Sequence, residues 1–155
     1  MGIEIERKFL VKGDRWRSLG TGEFYRQGYL ATAQAGATVR VRVAGDRGYI
    51  TVKGATVGSR RAEFEYKIPV SDAQEMLDTL CHQPLIEKTR YKIPLGSLIW
   101  EVDEFAGANA GLIVAEVELQ DPQQAIELPD WIGLEVTEDA RYFNAYLAQV
   151  PFSQW

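Results

Sequence analysis

Six stretches of the chain set charged residues at every second position, with apolar, aromatic or threonine residues between most of them. They are Glu4-Ile5-Glu6-Arg7-Lys8-Phe9, Arg40-Val41-Arg42, Glu63-Phe64-Glu65-Tyr66-Lys67, Lys88-Thr89-Arg90-Tyr91-Lys92, Glu101-Val102-Asp103 and Glu116-Val117-Glu118. In a strand, residues two apart share a face, so each stretch predicts one charged face and one face that wants burial. The wet face of an open antiparallel sheet accounts for any single stretch. It does not account for the set, because like charges side by side on such a face destabilise a sheet. A closed barrel with a charged lumen satisfies both faces. The lumen would then hold the cations Lys8, Arg40, Arg42, Lys53, Lys67, Lys88, Arg90 and Lys92. Its anions would be Glu4, Glu6, Glu63, Glu65, Glu101, Asp103, Glu116 and Glu118. Burying such ions costs on the order of several kcal/mol each, and fold stability does not require it, so the charges point to function.

A chain of 155 residues with 46% hydrophobic content reads as one domain, 1–155, with a sizeable core. The net charge of −5 argues against a general nucleic-acid binder, but a small anion in a cleft responds to the local field instead. The lone cysteine, Cys81, permits no intrachain disulfide, reads as a small core residue and fits a reducing cytoplasm. No apolar run approaches the ~20 residues of a membrane span. Glu4, Glu6 and Lys8 stand where a signal peptide would be apolar. Expected, then, is a cytoplasmic protein without a membrane partner.

Strands are predicted at about 2–11, 24–32, 37–45, 48–54, 61–69, 86–95, 98–105 and 112–120. Gly45-Asp46-Arg47-Gly48 is a tight hairpin signal. Ser71-Asp72-Ala73-Gln74 reads as a capping box, opening a helix to about Cys81 with Met76, Leu77 and Leu80 on its apolar side. Asp121-Pro122 predicts a short helix to about Glu127. A last helix over roughly 138–149 would bury Tyr142, Phe143, Tyr146, Leu147 and Val150, and a turn is predicted near 14–19. The fold class is therefore α+β: a strand-dominated closed barrel with helices packed outside. The four Trp residues, 16, 100, 131 and 155, read as packing anchors; Arg60-Arg61 could guide an anion to the tunnel mouth, but a solvated loop is the preferred reading. His82 has no partner in sequence.

The charged groups define a ligand type. Arg offers a planar fork matched to phosphate oxygens, and Lys a point charge. Carboxylates repel phosphate unless a hard cation intervenes; Mg²⁺ suits carboxylate and phosphate oxygens, and Mn²⁺ is compatible. No Cys/His cluster offers a zinc site. Neither a Ser-His-Asp nor a Cys-His arrangement is visible, so catalysis would be electrostatic.

Glu4-x-Glu6-x-Lys8 resembles the ExExK signature of the CYTH superfamily, the triphosphate tunnel metalloenzymes. Arg40-x-Arg42, Lys53, Glu63-x-Glu65, Lys88-x-Arg90, Asp103 and Glu116-x-Glu118 stand in the order that family uses, and Gly133-Leu134-Glu135-Val136-Thr137, Arg141-Tyr142 and Asn144 look like its C-terminal segment. The resemblance implies an eight-stranded antiparallel tunnel that binds triphosphate with divalent metal, and the leading reading it gives is metal-dependent hydrolysis of inorganic triphosphate (tripolyphosphate) to pyrophosphate and phosphate. It implies metal ligands among Glu4, Glu6, Glu63, Glu65, Asp103, Glu116 and Glu118. Phosphates would be bound by Lys8, Arg40, Arg42, Lys53, Lys88 and Arg90, with Lys88 or Lys8 assisting the leaving oxygen. Two ions are expected, one holding the triphosphate and one activating water. The alternatives are a thiamine or nucleoside triphosphatase, a class IV-type adenylate cyclase, or a polyphosphate sensor without turnover. The loops at 32–37 and 54–59 offer no evident nucleobase-reading set, which favours a compact ligand. Glu101 shares the face of Asp103, but the family pattern singles out only the Asp. Glu135 reads equally as a structural ion pair, a cap or a neighbour of the metal. A homodimer is left open.

Overall fold

The alternating stretches fold as strands wound into a barrel. The computed structural model describes residues 2–31 and 36–155, so most of the loop at 32–37 and the end of the strand predicted to reach 32 lie outside the described residues. In chain order the elements are β1 (Gly2–Val11), β2 (Thr21–Ala31), β3 (Ala37–Ala44), β4 (Arg47–Gly54), β5 (Arg60–Ile68), α1 (Val70–Thr79), β6 (Ile86–Leu95), β7 (Leu98–Phe105), β8 (Ile113–Glu118), β9 (Ile132–Glu135) and α2 (Asn144–Leu147). The strand order is β5-β4-β3-β2-β6-β7-β8-β1-β9, and β5 also pairs with β1. The first eight strands therefore close on themselves, all pairs antiparallel. The expected α+β barrel with a charged lumen is the fold found.

The β3–β4 hairpin closes at Ala44↔Arg47 around Gly45, whose φ of 61° is the left-handed conformation that glycine adopts without steric cost. β1 is shared along its length. Its first residues pair with β5, from Gly2↔Glu63 to Ile5↔Arg60. Its later ones pair with β8, from Glu6↔Glu118 to Leu10↔Val114, and with β9 at Phe9↔Glu135 and Val11↔Ile132. Between Ile5 and Phe9, the edge that passes from β5 to β9 is held by Glu6 N–H donating to Ser59 O (3.0 Å), Lys8 N–H donating to Thr137 Oγ1 (3.0 Å) and Val136 N–H donating to Lys8 O (2.8 Å).

The outward faces pack into two apolar clusters. One joins Ile5, Phe9, Trp16, Trp100, Val102, Val117 and Trp131; the other sets Val41 and Val43 against Ala73, Leu77 and Cys81 of α1 and the turn after it. A third cluster, of Tyr29, Ile86, Phe105, Leu112, Val114, Leu147 and Ala148, lies inside one end of the barrel. Ile86, Phe105 and Val114 are two residues from Lys88, Asp103 and Glu116, so they share the lumen-facing parity.

The helices depart most from expectation. α1 begins directly after Pro69 with no side-chain cap, so Ser71 lies within the first turn and no capping box forms; Pro69 O accepts from Ala73 N–H instead. Leu80 falls beyond its end and is 65% exposed. No helix forms at 121–127. Asp121 Oδ1 accepts from Gln123 N–H, a local turn that competes with helix, and the chain then straightens so that Ile126 reaches the first cluster. The predicted 138–149 helix is a 3₁₀ turn, Ala140–Tyr142, then α2. Phe143 between them is extended (φ −73°, ψ 134°). α2 packs over the barrel end, so of the two α-helices only α1 covers an outer face. β9 is an unpredicted strand, whereas the turn expected near 14–19 is a 3₁₀ turn, Arg15–Ser18, around buried Trp16. Trp16, Trp100 and Trp131 are buried and Trp155 is 42% exposed.

Candidate active site

Strand parity and strand order together sort the lumen into two halves. The neighbouring strands β7, β8, β1 and β5 carry Glu101, Asp103, Glu116, Glu118, Glu4, Glu6, Glu63 and Glu65. The neighbouring strands β4, β3, β2 and β6 carry Lys53, Arg40, Arg42, Lys88, Arg90 and Lys92, with the neutral Tyr25, Gln27 and Tyr29 among them. Two lumen cations stand on the acidic half, Lys8 of β1 and Arg61 of β5. Most of these side chains, though not Gln27, surround a cavity of about 620 Å³. Of the predicted lumen residues, Asp103 and Lys67 are not on its wall.

Asp103 lies behind the wall because two cations hold it. Lys88 Nζ donates to its Oδ2 (2.7 Å), and Arg90 donates through Nε to Oδ1 (2.7 Å) and Nη2 to Oδ2 (2.9 Å). Burial alone would raise the Asp103 carboxyl; the Arg90 and Lys88 charges reverse this and hold it well below the usual range. Expected among the metal ligands, Asp103 is here engaged by two cations. Arg90 Nη2 also reaches Glu116 Oε1 (3.0 Å), and Arg90 with Lys8 outweighs burial to bring Glu116 down to about 2.

Lys88 is 1% exposed. Burial pulls its ammonium down to about 7; Asp103 opposes this, and the Arg90 and Arg42 guanidinia add to it. Its Nζ further donates to Asn144 Oδ1 (2.9 Å), which also accepts from Gln27 Nε2 (3.1 Å). Gln27 Oε1 in turn accepts from Arg42 Nε (2.9 Å). Arg42 makes no ion pair among the described residues, and burial, with Arg40 and Arg90 nearby, lowers it to about 9. Arg40 donates to Thr51 Oγ1 (3.1 Å) and faces Glu65 at 3.5 Å. The basic half therefore presents fixed donors toward the cavity, suited to phosphate oxygens.

On the acidic half, Lys53 Nζ bridges Glu4 (3.0 Å) and Glu63 (3.3 Å), and Lys8 Nζ lies 3.8 Å from Glu116 and donates to Tyr142 O (3.3 Å). The remaining carboxylates crowd one another. Burial, then Glu116 and Glu4, push Glu6 up to about 7. Burial, then Glu4 and Glu63, push Glu118 up to about 7, and burial raises Glu4 against the opposing charge of Lys53. Oxygen-rich, under-neutralised and free of soft ligands, this wall fits a hard divalent cation. Its carboxylates do not converge into a ready-made set of three ligands among the described residues.

Several lining residues escaped the sequence reading. Tyr25 and Tyr29 alternate on β2, but as neutral residues they gave no charge signal. Phe143, Asn144 and Tyr146 line the cavity because the extended Phe143 turns this segment inward. Arg61 opens the strand predicted at 61–69 but is not among the expected lumen charges, although it sits two residues before Glu63 and so shares its face; continuing the alternation by one step finds it. Glu135 forms the structural ion pair that was one of its readings, with Arg7 at 2.7 Å. Glu101 lines the cavity 3.4 Å from Arg90. Glu104 faces away and pairs with Arg17.

The family model for the CYTH domain matches residues 2–146. The chain is 51% identical over 155 residues to an inorganic triphosphatase of Acetivibrio thermocellus, covering 100% of this chain and 99% of that protein. To an inorganic triphosphatase of Nitrosomonas europaea it is 42% identical over 153 residues, covering 94% and 96%. Among solved structures, the inorganic triphosphatase NE1496 superposes with a TM-score of 0.64 at 38% identity, covering 93% of this chain and 96% of that one. A putative adenylyl cyclase from Hippeastrum described as having a dominant triphosphatase activity shares the fold, with a TM-score of 0.58 at 15% identity over 79% of this chain and 81% of that one.

Proposed function

The chain belongs to the CYTH domain family, and we propose that it hydrolyses inorganic triphosphate to pyrophosphate and phosphate with a divalent metal, Mg²⁺ or Mn²⁺. The division of one closed lumen into an acidic and a basic half carries this reading. A bare polyanion would be repelled by the acidic half, and a bare cation by the basic half. A polyphosphate with bound metal satisfies both, its oxygens facing Arg40, Arg42, Lys53, Lys88 and Arg90. The family implies a divalent ion, and Glu4, Glu6, Glu63 and Glu118, joined by Glu65 and Glu116, are the carboxylates that would hold one or two. Bound there, it supplies neutralisation of phosphoryl charge and a polarised water.

The remaining steps belong to the side chains. The guanidinia of Arg40, Arg42 and Arg90 align the phosphates, and the donors are fixed before reaction by Asp103, Thr51 and Gln27, which limits reorganisation. Water attacks the terminal phosphorus, the bridging P–O bond breaks, and pyrophosphate leaves. Lys88, whose ammonium is brought near neutrality and held by Asn144 and Asp103, is placed to give a proton to the departing oxygen; Lys8, on the opposite wall, stabilises the phosphoryl charge. The cavity of about 620 Å³ exceeds what a bare triphosphate fills, which supports an organic triphosphate as the second reading.

Phosphate release from inorganic triphosphate, ATP and thiamine triphosphate, each with Mg²⁺, Mn²⁺ or EDTA, tests the proposal. Metal-dependent release, fastest from inorganic triphosphate, is expected. Preference for an organic substrate would establish the second reading, and absence of release from all three with metal present would overturn both.

A further inference from the structure

Of the two lumen cations on the acidic half, Arg61 is the one that pairs with no carboxylate among the described residues. It stands on the acidic half, opposite Glu4 across the β5–β1 pairing, and lines the cavity together with Glu4, Glu6 and Glu63. Yet it makes no ion pair and no side-chain hydrogen bond among the described residues, while Lys8, Lys53, Lys88, Arg40 and Arg90 each have a carboxylate within 4.0 Å. Its Nε is buried without a hydrogen-bond partner, a condition that native structures avoid unless a ligand or water completes it.

Its position is also distinctive. β1 changes partners from β5 to β9 beside it, and at this seam a small cavity of about 20 Å³ is lined by Glu6, Lys8, Thr56, Ser59, Arg61 and Thr137 among others. Arg61 lines both cavities. A tetrahedral phosphate at the junction would meet a guanidinium fork, the Lys8 ammonium and nearby hydroxyls. Neutralising Glu4, Glu6 and Glu63 does not account for this arrangement, since a guanidinium placed for that purpose would pair with one of them.

We propose that Arg61 binds the phosphate at the β4–β5 end of the lumen: the terminal phosphoryl group of the bound polyphosphate, or the orthophosphate it becomes. This assignment rests on the hydrolase reading for its substrate, but the anion site itself does not need turnover.

The full chain and its Arg61→Ala and Arg61→Lys variants would be compared by steady-state hydrolysis of inorganic triphosphate in Mg²⁺, by inhibition with orthophosphate and by calorimetric binding of orthophosphate. Loss of a charge-assisted contact predicts weakening in Arg61→Ala of about ten- to a hundredfold, with an unchanged thermal midpoint, partial recovery in Arg61→Lys and rescue by added guanidinium ion. A rise in both KM and the orthophosphate inhibition constant assigns the terminal phosphoryl; a rise in the inhibition constant alone assigns the released product. Orthophosphate binding that depends on Arg61 in a protein without turnover would support the site while overturning the hydrolase reading. Unchanged KM and orthophosphate affinity in Arg61→Ala, or losses that follow a fallen thermal midpoint without guanidinium rescue, would overturn the proposal.

Discussion

Asp103 accepts from Lys88 and Arg90 at once, with Arg42 nearby, so one carboxylate offsets a dense group of buried cations. Replacing Asp103→Asn keeps the shape and removes the charge. Breaking a buried ion network from one side costs about 3–5 kcal/mol, and urea denaturation of the metal-free protein should show a loss of that order; a loss below about 1 kcal/mol would mean that solvent screens these cations. Glu6 and Glu118 act in the opposite direction. Their folded values near 7 exceed the ordinary ~4.3 of a glutamate, so between these values the native state binds more protons than the unfolded chain and stability falls as pH rises. The thermal midpoint in EDTA should therefore drop from about pH 5 to pH 7, while the stabilisation by added Mg²⁺, which needs ionised ligands, grows over the same interval. Lys88, lowered to about 7, favours the folded state increasingly only above that window, which is why the test stops there. A midpoint in EDTA that rises from pH 5 to 7 would contradict the crowding of these carboxylates.

The eight barrel strands were legible because charge marked every second residue in most of them and Gly-rich turns separated them. β9 was not, since Ile132-Gly133-Leu134-Glu135 is short and has no alternating pair of charges; it forms because β1 outruns β5 and presents an unpaired edge at Phe9 and Val11. The C-terminal segment misleads for a different reason. Tyr142, Phe143, Tyr146, Leu147 and Val150 have helical spacing, but the tertiary structure needs Phe143 and Asn144 turned into the lumen, and the helix breaks there. α2 is then a single turn, and too short to persist without packing. Its anchor is Leu147, fully buried against Ile86, Phe105, Leu112 and Val114. Leu147→Ala should cost about 2–5 kcal/mol and, by releasing Asn144 from Lys88, lower kcat for triphosphate. Calorimetric unfolding and turnover of the same preparation check both effects; a normal kcat in a destabilised variant would separate the packing of α2 from the position of Lys88.

Across the whole molecule, parity identified which residues face inward but not which strands become neighbours. The β2–β6 and β5–β1 contacts join distant parts of the chain, and no local pattern encodes them. The separation of acid from base and the withdrawal of Asp103 behind the wall are consequences of that closure, so they were illegible although nearly every participating residue had been named. The separation has a thermodynamic consequence. A metal ion bound alone relieves the acidic half and leaves Arg42 and its neighbours uncompensated; an anion bound alone does the reverse and adds repulsion against Glu6 and Glu118. Each ligand should therefore strengthen the other, with a coupling of about 1–3 kcal/mol. Pyrophosphate, the expected product, is the suitable probe because turnover does not consume it. Thermal midpoints would be compared for Mg²⁺ alone, pyrophosphate alone and both, at fixed free concentrations so that complex formation in solution is accounted for. The shift with both should exceed the sum of the separate shifts, and the excess should vanish in Glu6→Gln, which removes charge from the acidic half. Strict additivity in the unaltered protein would mean that the halves bind independently and that their separation does not serve a metal-bound polyphosphate.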